Sequence, residues 1–392
     1  LTRRLPLDGI VVADFSRVLA GPLCSQMLAD AGARVLKIEE PRRGDETRRW
    51  GPPFVNGVSA YFLSVNRGKE SVTLDLRNGG EIARQLIRRA DVVVDNFLPS
   101  QRASLGLVDV RTLNPRAIHC SISGFDPDTP QRDASGYDLL AQAEAGLMAI
   151  TGAADGEPMK VGVALSDVIT AHHAFGAITA ALFARERTGD GSSIAISLFS
   201  ATLTSLVNVA QNALVTGREP QRYGNAHPSI VPYQAFRGSD RMFAVGAGTD
   251  RHFRALCERV LEDAALANDE RFATNAARVA NRDAVIALLD ARFERRTAAE
   301  WVARCRDAAI PAAVVQGVRE ALDSEAGRAL IATLDHPVAG VYEALRNPLQ
   351  FDGATLPIGS APPELGQHTD SVLRELGYDD DAIAALRANG IV

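Results

Sequence analysis

"GIVVADFSRVLAGPLCSQMLADAGARVLKIE", residues 9–39, holds two short β-branched runs with a helical run between them. The flanking pieces, 9–15 and 33–39, are bounded by Gly and acidic residues, as strands are. Residues 21–31 read as the helix that joins them. The alternation continues, with strands expected at 71–76, 91–97, 117–123 and 192–198 and helices at 78–90, 138–149 and 167–187. Strands alternating with helices imply a largely parallel sheet covered on both faces. The expected fold class is α/β, with a Rossmann-like large domain.

With 392 residues the chain is long enough for two domains. The expected division is a large domain over 1–200, a helix and linker over 201–235, a smaller α/β domain over 236–320, and a return over 321–392 that packs on the large domain. Residues 199–216 read as one long helix and 217–236, rich in Gly and Pro, as a linker or active-site loop. The small domain is expected to hold strands at 241–248 and 312–316 and helices near 250–262, 282–293 and 298–307, and the Pro- and Gly-punctuated tail one last helix near 380–388. No short repeat or low-complexity tract interrupts this plan.

Hydrophobic residues make up 46% and charged residues 23%, a globular balance, and the net charge of −6 argues against a nucleic-acid partner. Nearly all positive charge is arginine, which leaves room for local anion sites. Cys24, Cys120, Cys257 and Cys305 are far apart and form no CxxC pair, as expected of reduced thiols in a cytoplasmic protein with no zinc site. No stretch is expected to reach the length of a membrane span, and Leu1 reads as a trimmed initiator end.

The turn after the first strand lacks the GxGxxG spacing that wraps a pyrophosphate, and "VGAGTD" (245–250) comes late and lacks the third Gly. Adjacent His172 and His173 point about 100° apart on a helix and suit no shared metal. No GxSxG elbow occurs. One carboxylate stands out, Asp167 in "VGVALSDVITAHHAFG" (161–176), at the mouth of an apolar, alanine-rich helix. Ser-Asp before a helix is an N-cap signal, and capping is the plain reading of Asp167. A carboxylate held at a helix start and facing a cleft is also placed to act as a nucleophile. The arginine-dense segments 39–50 and 65–77 read as solvated surface or as a site for a multiply phosphorylated ligand.

Eight segments in order resemble the family III CoA-transferases, the CaiB/BaiF family. They are "LDGIVVADFSRVLAGP", "GARVLKIEEPRRGDETRRWGPP", "YFLSVNRGKESVTLDL", "ADVVVDNFLP", "LNPRAIHCSISGF", "GYDLLAQAEAGLMAITG", "VGVALSDVITAHHAFGAI" and "APPELGQHTDSVLRELGYDDDAI". The resemblance spans essentially the whole chain. It implies that Asp167 is the nucleophile, acylated by a donor acyl-CoA and then carrying CoA as an aspartyl thioester. It implies CoA thioesters as substrates, no permanently bound cofactor and no metal. It further implies an interlocked homodimer threaded near 190–235 and 320–340, with no nucleic-acid or membrane partner. CoA contacts are expected from Arg17, Val18, Leu19, Ala20, Leu74, Arg77, Asn96, Phe97, Leu98, Arg102, Tyr137 and Asp138.

Two positions depart from the family pattern. Glu40 and Ser104 stand where the formyl-CoA transferases carry arginines, with Arg42, Arg43 or Arg102 as candidate substitutes. Racemases of this fold carry a His where this chain has Tyr137; a tyrosine is a poor proton shuttle, so transferase is expected over an acyl-CoA racemase or epimerase. Segments 222–236 and 245–253 resemble the succinate–hydroxymethylglutarate (glutarate) branch. That implies succinyl-CoA as donor and a dicarboxylate as acceptor. Residue chemistry nominates His227, Ser229 and Tyr233 for its pocket, and Arg48 and Arg17 for its distal carboxylate.

Overall fold

The computed structural model describes residues 4–105 and 110–392; Leu1, with its expected trimmed end, lies outside them. The described chain groups into two compact units. One comprises residues 4–105, 110–148, 160–218 and 328–392, the other 149–159 and 219–327.

The first unit is built on a six-stranded, all-parallel sheet. Its strands are β1 (Val11–Asp14), β2 (Arg34–Glu39), β3 (Lys69–Thr73), β4 (Val92–Asp95), β5 (Ile118–Ser123) and β6 (Ser192–Ser197), in spatial order β3-β2-β1-β4-β5-β6. The central strands β1 and β4 read as nearly unbroken apolar runs because both faces are covered, whereas the edge strands β3 and β6 mix in polar residues. Val12, Val35, Val92 and Val94 pack on one face with Cys24, Leu28 and Ile178. Ala13, Leu36 and Val93 pack on the other with Ile82, Leu86, Val372 and Leu373. The first layer contains α1 (Ala20–Asp30); the second contains α2 (Gly80–Arg89) and the helices Thr369–Leu376 and Asp380–Ala388. The first of these two C-terminal helices was not anticipated.

Past the sheet's fifth strand the helices are more broken than their composition suggests. The helix expected over 138–149 is α3 (Asp138–Glu144), interrupted at Gly146, whose φ is +83°. α4 (Leu165–Thr188) runs 24 residues and stops at Gly189 in the left-handed region, as its sequence implied. Its small residues Ala171 and Ala174 are fully buried in the layer that contains α1. By length and composition α4 is long and apolar enough to cross a membrane, which corrects the expectation that no stretch approaches one. The single helix expected over 199–216 is two, α5 (Leu198–Thr204) and α6 (Val207–Thr216), bent by 77° where Val207 takes φ +42°. An antiparallel hairpin, Ile331–His336 with Gly340–Leu345, occupies the tail where no strand was expected.

The second unit holds a three-stranded antiparallel sheet of β7 (Tyr233–Arg237), β8 (Met242–Gly246) and β9 (Ala312–Val314), with β8 central. β7 lies partly inside the stretch read as a linker. Its helices include α7 (Arg282–Phe293) and α8 (Ala298–Asp307). Phe293 joins the layers, its ring 4.8 Å from Phe236, 5.1 Å from Phe243 and 5.2 Å from Trp301. This unit reaches further than the expected 236–320, because Arg222 gathers a distant loop. Its guanidinium donates to the carbonyls of Ala149 and Ala153, both at 2.8 Å, and of Gly156.

Candidate active site

In strand order 3-2-1-4-5-6 the chain leaves β1 in one direction and returns to β4 in the other, which opens a crevice at the carboxyl ends of those neighbours. The loops after β1 and β4 meet there. Arg17 N–H donates to Asn96 Oδ1 at 3.0 Å, and Asn96 Nδ2 donates back to the Arg17 carbonyl at 2.8 Å.

Buried charges beneath the crevice fix the β1 loop. Val18 has φ +71°, costly for a β-branched residue, and its N–H donates to Asp45 Oδ2 at 3.2 Å. Lys37, fully buried, holds Asp45 Oδ2 at 2.8 Å and the Ser16 carbonyl at 3.2 Å. Lys69, also buried, reaches Asp14 at 3.3 Å and the Pro22 carbonyl at 2.8 Å; burial lowers its pKa to about 8. Lys37 interrupts an apolar strand in the sequence, which was the available signal for it, whereas Lys69 opens a polar strand start and carried none.

Asp167 is the third residue of α4 and half-buried in the crevice wall. It is not the cap. That position is Ala164, with no side-chain cap bond. A side-chain acceptor for the first turn comes instead from Asp138, whose Oδ1 takes the Ser166 N–H at 2.9 Å. Gln142 donates to the other Asp138 oxygen at 2.8 Å. The Asp167 carboxylate accepts from the N–H of Ala20, the first residue of α1. Burial, reinforced by the Asp138 charge, raises the Asp167 pKa to about 7, against the smaller pull of that N–H.

Asp167 lines a cleft of about 210 Å³ with Arg17, Val18, Ala20, Asn96, Leu98 and Tyr137. Tyr137 is 61% exposed. An adjoining cavity of about 280 Å³ is lined by Leu74, Arg77 and Phe97 among others, and shares Arg17 and Gln101 with the cleft. Nine of the twelve residues expected to meet CoA thus line one or both spaces. Leu19 is buried ahead of α1, and Asp138 is spent on α4; neither lines them.

Two expected arginines are engaged elsewhere. Arg102 Nε lies 3.3 Å from Asp95 and its guanidinium donates to Ser121 Oγ. Arg48 is bidentate on Glu39, at 2.8 and 2.7 Å, and sits 3.8 Å over the Phe62 ring, so a distal carboxylate has no claim on it. Arg17 remains in the cleft, paired with Glu46 at 2.7 Å. Glu46 was not anticipated, and its Oε2 is buried without a hydrogen-bond partner among the described residues. His227, Ser229 and Tyr233 come together within the second unit. The His227 and Tyr233 rings are 5.6 Å apart, and Ser229 N–H donates to His227 Nδ1 at 3.1 Å.

The model of CoA-transferase family III matches residues 7–369. The chain belongs to that family. A succinyl-CoA:glutarate CoA-transferase of Mus musculus is 39% identical over 99% of this chain and 90% of the relative. The succinate–glutarate CoA-transferase of Agrobacterium fabrum is 40% identical, covering 95% and 96% of the two chains. A succinyl-CoA:mesaconate CoA-transferase of Haloarcula marismortui is 35% identical over 95% and 97%. Among solved structures, a CaiB/BaiF family protein from Brucella suis superposes with a TM-score of 0.84 at 40% identity, covering 95% of this chain and all of that one. The protein is therefore a CoA-transferase whose family uses CoA thioesters as substrates.

Proposed function

We propose that this family III enzyme moves CoA from succinyl-CoA to a small dicarboxylic acid such as glutarate or hydroxymethylglutarate, with Asp167 as nucleophile. The observation that carries the reading is the Asp167 carboxylate, half-buried in the wall of a switch-point cleft and oriented by the Ala20 N–H. The relatives whose names pair succinyl-CoA or succinate with glutarate support the substrates. One Asp167 oxygen attacks the succinyl thioester carbonyl, the C–S bond breaks, and an aspartyl–succinyl anhydride forms as CoA thiolate leaves. The thiolate then attacks the aspartyl carbonyl, releasing succinate and leaving an aspartyl–CoA thioester. The acceptor carboxylate attacks that thioester, and the two steps reverse with the new acid. Each exchange trades acyl bonds of similar energy, so the task of the protein is positioning and exclusion of water.

In this proposal the coenzyme lies through both spaces, and Arg17, released from Glu46, takes the acceptor's distal carboxylate. His227, Ser229 and Tyr233 serve the acceptor, and Tyr137 the thioester end. The working form is an interlocked homodimer. Its four cysteines, free and buried, suit a reducing cytoplasmic compartment. The test is incubation with succinyl-CoA and a panel of carboxylic acids, with products identified by mass, and mass analysis of the protein quenched in turnover. Glutaryl-CoA, and an adduct on the peptide carrying Asp167, are expected. An adduct confined to another residue overturns the nucleophile, and exchange of the substrate α-hydrogen with solvent deuterium without acceptor would mark a racemase.

A further inference from the structure

The cavity of about 280 Å³ opens beside the carboxyl ends of β2 and β3 and includes no part of Asp167. If the thioester reacts at Asp167, the nucleotide end of the coenzyme falls here, so the role given to this cavity rests on the proposed CoA chemistry. Dinucleotide-binding sheets of this strand order offer a parallel, though this chain lacks their GxGxxG turn: in them a side chain near the end of the second strand meets the ribose. A carboxylate there accepts from ribose hydroxyls, whereas an arginine accommodates a phosphate.

In this chain that residue is Glu40, exposed in the cavity wall one residue beyond β2. Its carboxylate is held in place. Oε2 accepts the N–H groups of Arg42 at 3.1 Å and Arg43 at 2.6 Å, and the Gly44 N–H closes the turn on the Glu40 carbonyl at 2.9 Å. Most other charges of the wall are already committed. Lys37 is paired with Asp45, Glu39 with Arg48, and Arg17 with Glu46 here or with the acceptor's distal carboxylate in the proposed complex. Arg77 is exposed, and among the described residues only its backbone N–H is bonded, to Asp75 Oδ1 at 3.1 Å. Among the described residues of the wall, one uncommitted guanidinium thus shares the cavity with two carboxylates, Glu40 and Asp75, which is a poor setting for a group bringing nearly two negative charges.

We propose that Glu40 makes this site read the ribose through its hydroxyls and not through the 3′-phosphate of CoA, so that 3′-dephospho-CoA is bound as well as CoA. Arg77 then meets the diphosphate. The test is titration calorimetry of the intact protein with CoA and with 3′-dephospho-CoA. Dissociation constants within about fivefold of each other are expected, whereas a charge-assisted phosphate contact would separate them by about tenfold or more. Glu40→Arg is expected to introduce that preference for CoA, and an Arg42→Ala/Arg43→Ala double variant to leave the wild-type ratio unchanged.

A wild-type preference for CoA beyond fivefold overturns the inference, as does a Glu40→Arg ratio that does not move. If the double variant abolishes such a preference, the phosphate belongs to Arg42 and Arg43. Failure of the wild type to bind either nucleotide removes the CoA reading of the cavity itself. Binding of CoA alone removes only the role given to Glu40.

Discussion

Asp167 trades stability for reactivity, and the trade has a pH signature. A carboxylic acid is not a nucleophile, so with a pKa raised to about 7 the active form is lost as pH falls through 7, far above the ordinary carboxylate range. Transfer kcat/KM is expected to drop about tenfold per pH unit below that point. Asp138→Asn removes the like charge while its amide oxygen still accepts from Ser166, so the acid limb of the pH–rate profile should move to lower pH. The folded protein holds the Asp167 proton more tightly than the unfolded chain does, so this group's contribution to stability falls as pH rises from 3.8 to about 7. Asp167→Asn is therefore expected to melt higher than wild type at pH 8, with the gap closing near pH 4, while transfer is lost by about a thousandfold or more. Melting curves at the two pH values check the sign. The sequence made Asp167 conspicuous, but the residue that takes up the Ser166 N–H lies 28 positions upstream, where no local pattern reveals it.

Between strands, the site depends on loops held in demanding conformations. Gly124, just past β5, and Gly136, ahead of Tyr137, touch backbone to backbone. A Cβ on Gly136 would stand 2.0 Å from the Gly124 Cα. Gly136→Ala is expected to displace the segment carrying Tyr137 and Asp138, at a cost of about 1–3 kcal/mol. A thermal melt should show the loss, and the transfer assay a lower kcat with an altered acid limb. Val18 offers the opposite experiment. Val18→Gly relieves a positive φ and is expected to leave stability unchanged or raised by about 1 kcal/mol, while loosening the loop and lowering kcat/KM. The parallel strands were legible to within a few residues because a sheet buried on both faces demands continuous β-branched runs. The α5–α6 break was not, since Val207 takes a left-handed φ in a stretch that holds no Gly or Pro to mark it. The hairpin at 331–345 alternates buried and exposed residues, but its Pro and Gly made the tail look irregular.

At the scale of the molecule, each compact unit is assembled from separate segments, because the chain leaves the first unit and returns to it twice. Nothing in the sequence marked that Arg222 would draw residues 149–156 into the second unit, since that clamp joins a guanidinium to backbone carbonyls that carry no residue signature. Assembly leaves still less trace in a single chain, yet the first unit displays apolar side chains that an isolated chain has no reason to expose. Leu214 is 78% exposed and Val215 75%, on α6, and Phe183 on α4 is 61% exposed. Such surfaces mark contact with another protein or a membrane, and in the proposed homodimer a partner chain would cover them. Interlocking adds a consequence that ordinary dimers lack: two threaded chains cannot part without one of them unfolding. Single-particle mass measurements are therefore expected to give twice 41.8 kDa even at nanomolar protein, with no monomer growing in on dilution, and Leu214→Asp/Val215→Asp to assemble poorly. A native monomer that accumulates on dilution and retains its fold would rule out threading and leave a side-by-side pair. A monomer at every concentration would leave those apolar residues without an occupant.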